Sequence, residues 1–295
     1  TTTLTGNIST AGAGAHGLWL YDSDSNTTSL TGNITTTGRE ARGLLLYDSV
    51  SNTTNLTGNI STTGDDAYGL WVYDSDSNTT SLTGNITTTG DDAYGIHLNN
   101  SDNNTTTLSG NITTTADGAL GIFLSRSDSN DITINGNMTT SGANTSGVYF
   151  YNSDSNTFTI KGNIITSGAG GNAEPFVLDE FSDSNTFILS GAIHSLGGDQ
   201  SISVSSNSQS NTFIFKRGAS FIGGLENDGG TTNTLRFDMG KASSYNLETE
   251  GSTLWTLEDT SKPIVEGSAK SMGVADIDNQ AHILYRRMDP VNDVL

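Results

Sequence analysis

Apolar and polar residues alternate along short segments of the chain. In residues 18–21 (Leu-Trp-Leu-Tyr) the two leucines share one face, and in residues 30–34 (Leu-Thr-Gly-Asn-Ile) apolar or small residues fall on alternate positions. Gly, Asn, Asp and Ser bound these segments. Alternation with a period of two between turn-forming residues is typical of β-strands. The pattern therefore predicts many short strands joined by tight turns.

A Gly-Asn-Ile tripeptide, once Gly-Asn-Met, marks a repeat of 26 residues. It begins at Gly6, Gly32, Gly58, Gly84, Gly110, Gly136 and Gly162. Each period also contains Ser-Asn-Thr or a close variant, and beyond Gly162 one copy of it arrives three residues late. Self-similarity at a fixed period of this length indicates a solenoid, in which each repeat packs only on its neighbours.

Stacking the repeats places equivalent apolar residues in columns. Five inward columns are predicted, and they begin at Leu4, Ile8, Leu18, Leu20 and Thr28. The fifth changes from threonine in the early repeats to isoleucine and phenylalanine in the later ones. A single coil buries too little apolar surface to offset the ordering of its backbone, whereas coils stacked about 4.8 Å apart pair every strand above and below. The sequence therefore predicts an all-β, right-handed parallel β-helix whose nine or so coils form a rod about 45 Å long.

Two columns of asparagine accompany the apolar columns, and they begin at Asn7 and Asn26. Stacked amides hydrogen-bond to the copies above and below them, and asparagine tolerates the left-handed turn conformation. We interpret both columns as structural ladders. Sugar attachment at the Asn-Ile-Thr and Asn-Thr-Thr sequons is the functional alternative.

Composition narrows the classes of function. The chain has 12 Lys+Arg against 32 Asp+Glu, a formal net charge of −20, and an acidic surface disfavours nucleic acid and anionic lipid as partners. The absence of cysteine excludes disulfides, thiolate metal sites and cysteine nucleophiles. Thr1 is not an initiator Met and no signal segment precedes it, so we expect a processed or truncated fragment with further coils upstream.

Aromatic side chains occupy outward positions of the strand at residues 18–21 and of its copies in later coils. One column runs through Leu45, His97 and Phe123, and the other is interrupted by Asn99 and Ser125. Exposed aromatic patches mark surfaces that bind carbohydrate or protein, but cross-strand stacking can also stabilise a sheet without any ligand. We take as the candidate binding residues, called the aromatic stripe below, Trp19, Tyr21, Tyr47, Trp71, Tyr73, Tyr149 and Tyr151.

Acidic turns follow these strands at Asp22, Asp48 and Asp74. They resemble the start of a calcium loop, but its turn glycine and closing glutamate are missing. We therefore expect a solvated acidic edge with at most weak calcium binding. The four histidines are scattered without metal-ligand spacing, so the sequence predicts neither a metal site nor a cofactor.

Catalytic signals are weak. Stacking brings carboxylates close together in any acidic coil, so the short separation that glycosidases need carries no information here. The irregular segment 172–176, with Glu174, Asp179 and Glu180, is the one candidate for polysaccharide cleavage. No Gly-x-Ser-x-Gly nucleophile elbow occurs. We expect that the protein is not an enzyme.

The last seventy residues depart from the repeat. We divide the chain into β-helix repeats (1–224), a β-rich closing cap that includes Trp255 (225–268) and a linker (269–295). From Val274 the apolar spacing becomes helical, which predicts a short α-helix through Ile277, Ala281, Leu284 and Met288. Pro290 ends it.

The order of repeats, closing strands around residues 254–257 and linker 276–288 resembles the passenger domain of a bacterial autotransporter (type V secretion). The resemblance implies that 225–268 is an autochaperone-like segment. It also implies that the linker helix leads to an outer-membrane β-barrel beyond Leu295, which tethers the passenger to the cell surface. The family has protease, esterase and adhesin branches, and the lack of a catalytic loop favours the adhesin branch.

We therefore expect an exported cell-surface or extracellular adhesin that acts in aggregation, biofilm formation and virulence. Its partners would be a second copy, or a glycan or protein of a host or other surface, and not nucleic acid. A polysaccharide-degrading β-helix enzyme and a passive structural spacer are the alternatives.

Overall fold

The structure is a computed structural model, and it describes residues 1–168, 173–198, 200–229, 232–238, 244–250, 255–259, 263–268 and 271–276. Each 26-residue repeat forms three short strands, one in each of three parallel sheets. No α-helix is present among the described residues. The predicted all-β parallel solenoid is confirmed, with nine coils that contribute to all three sheets.

The strands are numbered along the chain; each of the nine coils gives one strand to every sheet, and the strands from β28 onward extend sheets A and C. Sheet A contains β1 (Thr2–Thr5), β4 (Thr27–Thr31), β7 (Thr53–Thr57), β10 (Thr79–Thr83), β13 (Thr105–Ser109), β16 (Asp131–Ile134), β19 (Thr157–Ile160), β22 (Thr186–Leu189), β25 (Thr212–Lys216), β28 (Thr234–Asp238) and β30 (Thr256–Asp259). Sheet B contains β2 (Ile8–Thr10), β5 (Ile34–Thr36), β8 (Ile60–Thr62), β11 (Ile86–Thr88), β14 (Ile112–Thr114), β17 (Met138–Thr140), β20 (Ile164–Thr166), β23 (Ala192–Ser195) and β26 (Ser220–Ile222). Sheet C contains β3 (Leu18–Tyr21), β6 (Leu44–Tyr47), β9 (Leu70–Tyr73), β12 (Ile96–Asn99), β15 (Ile122–Ser125), β18 (Val148–Tyr151), β21 (Phe176–Asp179), β24 (Gln200–Val204), β27 (Gly224–Asn227), β29 (Ser244–Glu250), β32 (Ser271–Asp276) and β31 (Pro263–Ser268).

The predicted apolar columns form the core. Equivalent residues pair from coil to coil, as Leu82 does with Leu56 and Leu108, and all three are buried. Leu4 is 37% exposed because no coil of the described chain lies beneath it. The fifth column changes from buried Thr28, Thr54, Thr80 and Thr106 to buried Ile132, Phe158, Phe187 and Phe213.

The two asparagine ladders are also present, and they run in opposite directions. In the exposed ladder the side-chain Oδ1 of Asn33 accepts the backbone N–H of Asn59 in the next coil, at 2.8 Å. In the buried ladder Asn78 accepts the N–H of Asn52 in the preceding coil, also at 2.8 Å, and its amide donates to the carbonyl of Ser49. Each amide thus replaces hydrogen bonds that the corner turns leave unmade.

The left-handed turn residue is not the one that we expected. The ladder asparagines themselves are absent from the set of residues with positive φ. The residue before the buried ladder adopts that conformation instead, with φ of 58° at Ser51 and Ser77 and 59° at Ser155. The asparagine side chain can therefore point inward, where it bonds to the neighbouring coils.

The C-terminal segment extends the strands further than predicted. Val274 lies in β32, which pairs antiparallel with β29 and β31, so the predicted helical spacing is wrong over residues 274–276. The pairing partners of this segment decide its structure, and its own apolar spacing does not reveal them. The remainder of the predicted helix, from Ile277 to Met288, lies outside the described residues. Trp255 packs in the core against Phe213, with ring centroids 5.8 Å apart.

Candidate binding face on sheet C

The aromatic stripe lies on the outer side of sheet C. Each strand there alternates, so that Leu70 and Val72 of β9 point into the core while Trp71 and Tyr73 lie outside it. Equivalent residues stack in register, because Trp71 pairs with Leu45 and His97, and Tyr73 pairs with Tyr47 and Asn99. The sheet therefore carries two outer columns that run along the rod.

The column of Tyr21, Tyr47 and Tyr73 forms a continuous ring stack. Their centroids are 5.4 Å and 5.0 Å apart, with interplanar angles of 31° and 20°. Tyr21 is 56% exposed, and the other two are half-buried. Because the ring faces cover one another, the stack presents mainly ring edges to solvent, and the column ends where Asn99 replaces tyrosine.

The second column is less exposed than we expected. Trp19 is 55% exposed, but Leu45 is only 2% and His97 only 6% exposed, while Trp71 and Tyr149 are half-buried. The expectation that all outward positions are open to solvent is therefore wrong for the middle of this column.

A row of side chains from the preceding turn causes this burial, and we call it the covering row: His16, Arg42, Tyr68 and Tyr94. Tyr68 packs edge-on against Trp71 and lies flat on Tyr94, with centroids 5.6 Å and 4.8 Å apart. The Arg42 guanidinium lies 4.4 Å from the Trp71 ring centroid, within the range of a cation–π interaction.

The sequence contained a signal for the covering row. Its members stand immediately before the glycine that precedes each β-strand of sheet C, three residues ahead of the outward column. They recur every 26 residues, as His, Arg, Tyr and Tyr. Alternation along a strand cannot reveal them, because they belong to the turn.

The covered part of the face contains unpaired polar atoms. His97 stacks on Phe123 at 4.8 Å, and neither of its ring nitrogens has a hydrogen-bond partner among the described residues. Burial, together with the charge of Arg42, lowers the pKa of His97 to about 3, so the ring is neutral at physiological pH. The Nε atom of Arg42 and the Nε1 atom of Trp71 are likewise buried without a partner there.

At the far end of the stripe, two tyrosines interact with acids named above as candidates for polysaccharide cleavage. The hydroxyl of Tyr149 donates to Asp179 Oδ2 at 2.6 Å, and Asp179 Oδ1 accepts the backbone N–H of Glu180. A hydrogen bond and charge interaction with Glu180 raise the pKa of Tyr151. Glu174 is buried, with 9% exposure.

The acidic turns carry an ordered ladder of carboxylates two residues after the predicted edge positions. Asp22, Asp48 and Asp74 are exposed. Further along, carboxylates accept backbone N–H groups of the next coil, as Asp102 accepts that of Asp128 at 2.7 Å. Burial raises the pKa of Asp102, and the neighbouring carboxylates add to this effect. Among the described residues no group of three or more His, Asp or Glu side chains could hold a metal ion, and calcium binding at this edge stays a prediction.

A family model described as periplasmic copper-binding protein (NosD) matches residues 1–135 and, in an overlapping match, residues 51–213. Together the matches span the coils that carry the aromatic stripe. The chain belongs to the NosD family. No curated protein and no solved structure matches it. The description of this family as periplasmic is consistent with export of the chain. No helix of the described residues is long and apolar enough to cross a membrane.

The description of the NosD family raises the question whether this chain can hold copper. Copper sites use histidine, cysteine and methionine ligands. The chain has no cysteine, and Met138 is fully buried in the apolar core. The described histidines lie on separate coils, and both nitrogens of His97 are enclosed by aromatic rings. The described residues therefore do not fit a copper site.

Proposed function

We propose that the chain is an exported, non-catalytic rod, the passenger of a type V autotransporter, which binds a second copy or a surface partner through the aromatic stripe. Membership of the NosD family supports export, and the order of repeats, closing strands and linker supports the passenger assignment. The adhesive role is supported by the exposed aromatic side chains of sheet C.

The observation that carries the proposal is the ring stack of Tyr21, Tyr47 and Tyr73, with Trp19 beside it. The stack is ordered by its own ring contacts before any partner arrives, so binding loses little further side-chain entropy. Its rings recur once per coil, with centroids 5.4 Å and 5.0 Å apart. Weak contacts repeated at this interval add up to avidity without a pocket.

The surroundings of the acids support a non-catalytic function. A glycosidase needs one carboxylic acid that is free to protonate the leaving oxygen and a second that acts as nucleophile or base. Asp179 instead accepts the Tyr149 hydroxyl and a backbone N–H, and Glu174 is buried.

A test of the proposal compares beads that carry the purified chain with beads that carry the Tyr21→Ser/Tyr47→Ser/Tyr73→Ser variant. We expect bead aggregation, or attachment to cells, to fall by about tenfold, since repeated contacts are lost together. Phe181→Ser is the matched control, because Phe181 is an equally exposed aromatic (56%) outside the stripe. Undiminished attachment of the tyrosine variant would favour the passive spacer. Polysaccharide turnover that Asp179→Asn abolishes would favour the enzyme.

A further inference from the structure

Sheet A presents a second regular face, which is unlike sheet C. Its outward side chains in the first five coils all lie outside the core and are partly or fully exposed. We call these side chains the hydroxyl lattice, because all except Asn55 are threonine or serine: Thr3, Thr5, Thr27, Ser29, Thr31, Thr53, Asn55, Thr57, Thr79, Ser81, Thr83, Thr105, Thr107 and Ser109.

The lattice is regular in two directions. Thr27 pairs with Thr53, Thr53 with Thr79 and Thr79 with Thr105, without a shift in register. Neighbouring strands lie about 4.8 Å apart, and alternate residues along a strand lie about 6.6 Å apart. The outward oxygen and methyl groups therefore repeat on a nearly rectangular grid. In-register side-chain ladders also limit the twist of such a sheet.

The lattice is uncharged on a strongly charged protein. The chain has 12 basic and 32 acidic residues, yet none of them lies in the lattice. The first charge at an equivalent position is Asp131 of β16, and Lys161 and Lys216 follow in later coils. No aromatic ring is present in the lattice either, because the outward rings of these coils belong to sheet C and its covering row.

The hydroxyl groups of the lattice are free to bind. In the described part of the chain none of them donates to or accepts from a protein group, whereas the inward threonines of sheet B do, as Thr62 donates to the carbonyl of Ala67 at 2.6 Å. An exposed hydroxyl gains little from an isolated soluble partner, because each new hydrogen bond replaces one to water. A partner that gains from this face must engage many hydroxyls together.

We propose that the hydroxyl lattice binds ice. Ice is a periodic array of water whose surface oxygens repeat on the same scale as both spacings of the lattice, so many hydroxyls can join it together. Hydrogen bonding to ice needs no desolvation of a foreign group, and the threonine methyls order the water between the hydroxyls. A sugar chain would instead use aromatic faces, which this face lacks. The proposal does not rest on the proposed function, because it uses a different sheet.

The test is partition of the purified full chain into slowly growing ice, together with the shape of ice crystals in its solution. We expect enrichment in the ice fraction and faceted crystals. Thr53→Lys/Thr79→Lys in β7 and β10, two interior strands of the lattice, should lower the ice-bound fraction by about tenfold, because the lattice sites act together. Thr159→Lys/Thr212→Lys is the matched control, since both threonines face outward on sheet A beyond the lattice, and it should bind ice as the wild type does.

Two results of this test would overturn the ice-binding proposal, and a third would replace it. Exclusion of the wild type from ice, or ice binding that the central lysines leave unchanged, would overturn the proposal. Exclusion from ice combined with cosedimentation with cellulose or chitin that the same lysines abolish would overturn it in favour of a neutral glycan. The Tyr21→Ser/Tyr47→Ser/Tyr73→Ser variant should still bind ice, so a failure of the adhesive stripe does not affect this result.

Discussion

At the scale of single residues, the core contains two kinds of buried threonine. Thr36, Thr62, Thr88 and Thr114 donate to the carbonyl of an alanine five residues later, at 2.6 to 2.8 Å. Thr54 is also fully buried, but its hydroxyl has no partner among the described residues. A buried hydroxyl without a partner retains the cost of its desolvation, whereas a paired one stabilises the fold.

The same substitution should therefore act in opposite directions at the two sites. We expect Thr54→Val to raise the free energy of unfolding by about 1 kcal/mol, because valine fills the space without a polar group. Thr62→Val should lower it by about 1–3 kcal/mol, because it leaves the Ala67 carbonyl without its donor. Urea unfolding followed by circular dichroism measures both. Equal effects of the two substitutions would contradict this account.

At the scale of the structural element, the corner before each strand of sheet B demands glycine. Gly58 has φ of 147°, and a Cβ atom there would lie 2.1 Å from the carbonyl oxygen of Gly32 in the preceding coil. Gly6 occupies the same corner of the first coil with φ of 123°, but a Cβ atom there would have no heavy atom within 4 Å. Both positions have a positive φ that L-residues avoid. Only at Gly58 does the backbone of a preceding coil lie where a Cβ atom would be.

We expect Gly58→Ala to destabilise the protein far more than Gly6→Ala. Both substitutions carry the conformational penalty of about 1–2 kcal/mol, but only the first forces two backbones apart. Thermal melting should show a small decrease for Gly6→Ala and loss of cooperative melting, or failure to fold, for Gly58→Ala. Similar melting temperatures for the two variants would show that close coil contact does not determine the need for glycine.

Some features of these coils could be predicted from the sequence, and others could not. The apolar columns could be predicted because a fixed period of 26 residues and alternation within strands determine which side chains share the core. The burial of His97 could not, because strand alternation says nothing about Tyr68 and Tyr94, which cover it from a turn. The strand at Val274 could not be predicted from its own apolar spacing, because its structure depends on antiparallel pairing with β29 and with the preceding strand β31.

At the scale of the whole molecule, the core changes along the rod. Sheet A contributes threonine to the inner column in the early coils and phenylalanine in the late ones, and Phe187 stacks on Phe213 with centroids 4.6 Å apart. Phe150 and Phe176 join them from sheet C. Because each coil contacts only its neighbours, stability is a sum of local contributions. The early coils should therefore open more readily than the late ones.

Native-state hydrogen exchange tests this gradient along the rod. We expect the amides of β7 and β10 to exchange faster than those of β19 and β22, since all four are interior strands of sheet A and differ in the size of the buried side chain. Thr106→Ile copies Ile132 of the next coil and should slow exchange in β10 and β13 by about fivefold or more, as a gain near 1 kcal/mol would. Outward Thr107→Ile at the adjacent position should leave that exchange unchanged. Uniform protection from β7 to β22 would show instead that these coils open as one cooperative unit, and the stability of the rod would then not be a sum over coils.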